Sequence, residues 1–94
     1  MIKIDDYDLR VVVTGLMKYR ADDSAENLEV MDPMILRLCD IEAALKSGKR
    51  TKCLFSPAEK RLVRYYLNEW RNQLIQINNL GGRDGVTDIM LKFT

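Results

Sequence analysis

Ser56-Pro57-Ala58-Glu59 dictates where one helix of this chain begins. A serine hydroxyl in this position accepts from the backbone N–H three residues on. The glutamate reaches back to the serine N–H, and proline at the first helical position has no N–H to leave unpaired. Beyond Glu59 the chain keeps the helical period. Val63, Leu67, Trp70, Leu74 and Ile77 recur at steps of 4, 3, 4 and 3, with Leu62 and Tyr66 widening the stripe. This predicts a helix over 57–78. Asn78, Asn79, Gly81, Gly82 and Gly85 then read as a flexible loop that ends it.

A helix with one apolar stripe needs partners, and two further segments supply them. Leu9, Val12, Val13, Leu16 and Met17 predict a helix from about Asp6 to Arg20, with acids at its start and Lys18 and Arg20 at its end. The β-branched run Val11–Thr14 and Gly15 work against it, so a short strand is the alternative. Asp32-Pro33 resembles a cap followed by a first-turn proline, after an acidic connection over 21–31 in which Asp23 or Ser24 can begin one helical turn. A second helix is therefore expected over 33–47, with Met34, Ile35, Leu38, Ile41 and Leu45 on one face and Gly48 as a left-handed stop. The second and third helices are expected to form an antiparallel hairpin whose turn is residues 48–55. The last nine residues fit a short docked helix or a strand, the helix being preferred; the N-terminal Met1–Ile4 is a candidate strand that would pair with that tail. The expected fold is a single all-α domain, a small bundle of three main helices with an uncertain C-terminal element.

Size and composition limit what such a bundle can do. Ninety-four residues bury only about 60–65% of the unfolded surface, so self-association would add welcome burial. Apolar residues are 47% and charged residues 31%, which suits a folded domain and excludes a disordered one. No apolar run approaches the ~20 residues that span a bilayer, and no signal-peptide pattern is read at Met1–Arg10. A cytoplasmic protein with no membrane partner is expected.

Several chemistries lack their residues. There is no histidine, which removes the commonest general base, the Ser-His and Cys-His pairs and the commonest transition-metal ligand. Cys39 and Cys53 have no zinc-type spacing. Cys39 reads as a buried free thiol. Cys53, near Lys49, Arg50 and Lys52, is a weak candidate for a lowered pKa. The stretch Ser47-Gly48-Lys49-Arg50-Thr51 fails as a phosphate loop, having Ala43 where the first glycine belongs and Arg50 where Ser or Thr belongs. Asp5, Asp6 and Asp8 read as helix-start charges before they read as a magnesium site. No cofactor, no metal and no enzymatic activity are expected.

The charge distribution carries the functional signal. Residues 1–45 hold ten Asp/Glu against five Lys/Arg, a net −5, and residues 46–94 hold ten Lys/Arg against four Asp/Glu, a net +6. Lys46, Lys49, Arg50 and Lys52 crowd the expected turn. Arg61, Arg64 and Tyr65, with Arg71 beside them, fall on the third helix away from its apolar seam. These eight are the candidate partner- or anion-binding residues. Tyr66 and Trp70 lie on the seam, where core packing is the default and a protein interface the alternative. The favoured expectation is a non-enzymatic protein–protein interaction module, a small accessory, adaptor or inhibitor protein, with a homodimer as one form. The alternative is binding of nucleic acid or a nucleotide through the basic turn and the first half of the third helix.

Overall fold

A computed structural model describes residues 1–94 apart from Ser47. Its elements run β1 (Ile2–Asp5), α1 (Asp6–Tyr19), a 3-10 turn (Arg20–Asp22), α2 (Ala25–Ala44), β2 (Arg50–Cys53), α3 (Pro57–Gln76) and α4 (Leu80–Leu91). The architecture is a helical bundle with one small antiparallel two-stranded sheet. α1 packs on both α2 and α3, and α3 and α4 make the most extensive contact.

Two helices start with the same device. Asp8 N–H donates to Asp5 at 2.8 Å and Asp5 N–H donates back to Asp8 at 3.1 Å. At α3, Glu59 N–H donates to Ser56 Oγ at 3.1 Å and Ser56 N–H donates to Glu59 at 2.8 Å. Each returning carboxylate is buried and takes a second partner from a distant element. Lys92 Nζ donates to Asp8 at 2.6 Å, and Arg37 to Glu59 at 2.9 Å. Burial alone would raise the Glu59 pKa; the Arg37 hydrogen bond and charge, together with Ser56, outweigh it and hold the carboxyl below its ordinary value. Asp5 and Asp8 are thus caps, and Asp6 accepts from Gly48 N–H and faces Arg10.

The core joins all the elements. Ile4, Leu9, Val12, Met31, Met34, Leu38, Val63, Leu67 and Phe93 are fully enclosed. Gly15 sits where α1 meets α3. A Cβ there would come within 3.0 Å of Leu67 Cδ2 and 3.4 Å of Trp70 Cε3, so glycine, costly within a helix, permits the close approach of the two helices. Arg37 in the middle of α2 pairs with the start of α3, while Asp23, just before α2, meets Tyr66 halfway along α3. The two helices therefore run in opposite senses, as a hairpin requires.

Several sequence expectations need correction. α2 begins at Ala25, capped by Ser24, and Pro33 lies inside it. Pro33 and Glu29, whose carbonyl the proline leaves without its helical donor, are exposed, so water can serve that carbonyl. Asp32 caps nothing; it forms a two-pronged pair with Arg20 at 2.7 and 2.9 Å, which lowers its pKa. α2 ends at Ala44; the expected terminus, Ser47, lies outside the described residues. The segment expected to be only a turn contains β2, and β1 pairs with it instead of with the tail. Residues 80–85 belong to a helix: Asn79 caps α4 by accepting from Gly82 N–H at 3.0 Å. The two thiols exchange roles, Cys39 being exposed and Cys53 buried. Burial raises the Cys53 pKa despite the opposing charge of Arg37. Met17 and Ile77, expected on apolar stripes, are exposed.

Candidate functional site

The eight basic and aromatic candidates divide into three groups. Two arginines are consumed by the fold. Arg64 donates to the Phe93 carbonyl at 2.5 Å, and Arg71 Nε donates to Thr87 at 3.0 Å. Both tie α3 to the C-terminal helix, so neither is free to lead a binding surface.

The second group gathers around the small sheet. Register places Ile2 opposite Cys53 and Ile4 opposite Thr51; Lys3 faces Lys52, and Asp5 faces Arg50. Alternation then sends Ile2, Ile4 and Cys53 into the core and leaves Lys3, Arg50 and Lys52 exposed. Lys46 and Lys49 are exposed in the chain leading to β2. None of these five cations has an ion-pair partner among the described residues. A cross-strand Lys–Lys pair is mildly repulsive. Lysines on the strands of an open-edged ribbon also discourage another strand from adding.

The third group builds a cleft. α1 ends at Tyr19, the chain turns through the 3-10 segment to Asp23 and Asn27, and the middle of α3 closes the other side with Arg61, Leu62, Tyr65, Tyr66 and Glu69. The space between is about 380 Å³, large enough for a side chain or small ligand. Tyr66 is buried and stacks on Tyr19, with ring centroids 5.6 Å apart and planes 16° from parallel. Tyr65 meets Tyr66 edge-on at 5.1 Å and is 58% exposed. Offset and edge-on pairs of this kind are the favourable arrangements of aromatic rings.

The polar groups of the cleft are unequally satisfied. Asp23 accepts from Ser24 N–H and Asn27 Nδ2, each at 2.8 Å, and from the Tyr66 hydroxyl. It is a fixed structural acid. Arg61 and Glu69 have no ion-pair partner among the described residues. They are eight residues apart on one helix, about 12 Å by helical rise, too far to pair with each other. The Tyr19 hydroxyl is buried without a hydrogen-bond partner among the described groups. Burial first, and then the nearby Glu69 charge, push its pKa up, so it stays protonated.

Trp70, one turn after Tyr66, is half-buried and packs on the core beside Gly15, outside the cleft lining. The structure thus brings together Arg61, Tyr65 and Tyr66 and separates them from Lys46, Lys49, Arg50 and Lys52. Sequence reasoning missed Tyr19, Asp23, Asn27 and Glu69. Nothing local signals Tyr19, Asp23 and Asn27, because they meet α3 only through the tertiary turn between α1 and α2; Glu69 lies on α3 itself, one turn beyond Tyr65, where helical spacing could have found it. Among the described residues no helix is long and apolar enough to cross a membrane. Compared with known protein families, curated proteins and solved structures, the chain matches none.

Proposed function

We propose that this chain is a non-enzymatic protein-binding module of the cytoplasm, an accessory or adaptor protein that docks through the outer face of α3. The observation that carries this reading is the open aromatic cleft. It combines a rigid helix, an exposed tyrosine over one buried and one half-buried tyrosine, and a cation and an anion without ion-pair partners among the described residues. Tyrosine and arginine in concave, partly desolvated settings are the residues that dominate protein interfaces. Two unpaired thiols, one of them exposed, fit a reducing compartment.

A second reading has its own support. Lys3, Lys46, Lys49, Arg50 and Lys52 are exposed around the β1–β2 ribbon without ion-pair partners among the described residues, and a polyanion would relieve the Lys3–Lys52 repulsion. Neither strand of the ribbon carries an aromatic ring for base stacking. The two readings separate by measuring binding to a DNA duplex and to single-stranded RNA at low salt and at ~0.2 M. Protein binding predicts weak association that does not depend on the ribbon. Tight, salt-steep binding that falls when Lys49, Arg50 and Lys52 are replaced by alanine would make nucleic acid the target instead.

A further inference from the structure

Along α3, Arg61, Tyr65 and Glu69 stand at i, i+4 and i+8, on one stripe of the helix at steps of about 6 Å. The order is cation, aromatic ring, anion. A two-fold axis crossing the helix at Tyr65 maps residue 61 onto residue 69 and reverses the helix direction. An antiparallel copy of α3 would then bring Arg61 to Glu69 twice, once from each side, with the two Tyr65 rings at the axis. This is the self-complementary pattern of an isologous interface, in which residue i meets j and j meets i. The same operation sets Leu62 opposite Asn68 and Ala58 opposite Asn72, so no like charges are opposed along this stripe.

We infer that the occupant of the α3 cleft is a second copy of this chain, docked antiparallel about Tyr65, each Arg61 paired with Glu69 of the other copy and each Tyr65 ring seated in the opposite cleft. The inference rests on reading the cleft as a protein-docking surface. The geometry supplies what the seated ring needs: about 380 Å³ of space and an aromatic wall formed by Tyr66 and Tyr19. The cleft is incomplete in one copy, because its cation and its anion have no ion-pair partner among the described residues and would find one across the axis. A standard interface covers roughly 800 Å² per partner, about one seventh of the 5860 Å² this chain exposes, and a small bundle gains core by covering it.

The test is the solution mass of the full chain by sedimentation equilibrium over roughly 1–100 µM, with far-UV circular dichroism to check folding. Wild type is expected at about twice 10.9 kDa. Arg61→Glu or Glu69→Arg alone sets like charges against each other at both symmetric contacts and should weaken the dimer tenfold or more. The double variant Arg61→Glu/Glu69→Arg restores both pairs and should return to within about threefold of wild type. A wild-type monomer throughout the range, or a double variant no tighter than the singles, overturns the inference. A monomer that also ignores nucleic acid gives the cleft to a different protein, whereas salt-steep nucleic-acid binding through the ribbon overturns the underlying reading itself.

Discussion

The outer face of α3 and the β1–β2 ribbon both expose charges that the fold does not neutralise, yet they are built on different physics. On α3 the charges are opposite, separated by two turns, and flank an aromatic cleft. Their helix is fixed by a complete capping box and by buried residues on its inner side. On the ribbon the charges are mostly alike and lie on strands of four residues or in the chain leading to them, with no aromatic ring on either strand. The first arrangement can discriminate between partners by shape and charge order. The second supplies local positive potential and a protected sheet edge. A dense run of cations in sequence is therefore a poorer guide to a specific site than a sparse pattern on a rigid frame.

The contrast predicts unequal responses to substitution. Leu67 is 1% exposed and wedged between α1 and α3; Leu67→Ala should cost about 3 kcal/mol in urea unfolding. Lys52→Ala on the ribbon should stay within about 0.5 kcal/mol of wild type. Equal losses at both positions would mean that the ribbon is part of the stabilising frame.

Glu59 gives an intermediate effect with a pH signature. Its pKa is held below the ordinary carboxylate value in the folded chain. Its contribution is therefore complete above the unfolded pKa, near 4.5, and is lost as pH falls through the lower folded value. Glu59→Gln, which removes the charge and keeps the shape, should cost about 1 kcal/mol at neutral pH. It should also flatten the fall in stability below that pH. An unchanged acid limb would show that Arg37 and Ser56 do not hold the carboxylate in its charged form.

The smallest effect has the opposite sign. Lys52→Thr removes the repulsion with Lys3 and suits a strand, so it should stabilise by a few tenths of a kcal/mol at low salt. The gain should shrink as salt is added. A loss would mean that Lys52 makes a favourable contact on the ribbon.

How much of the fold is legible in the sequence depends on the range of the determining contacts. α3 is readable because its cap, first-turn proline and stripe are all local. The start of α2 is misleading because Asp32-Pro33 imitates a helix N-terminus; burial of Met31 together with Met34 and Ile35 carries the helix through the proline. α4 forms despite three glycines because Val86, Ile89 and Phe93 are buried and Arg64 and Arg71 reach across from α3. β2 is invisible because Arg50–Cys53 becomes a strand only against Ile2–Asp5, nearly fifty residues away in the chain. In the cleft, the α3 residues Arg61, Tyr65 and Tyr66 are legible as a non-seam or seam pattern. The opposite wall depends on where the turn after α1 deposits Asp23 and Asn27.

Disulfide trapping compares the two regions in one experiment. In a Cys39→Ser background, which removes the exposed thiol, Tyr65→Cys and Lys52→Cys are oxidised side by side at micromolar concentration. A residue on the two-fold axis faces its own copy, so the Tyr65→Cys chain should become a covalent dimer rapidly and the Lys52→Cys chain should remain largely monomeric. Trapping at position 52 with none at position 65 would contradict the assignment of self-docking to α3 and move it to the ribbon.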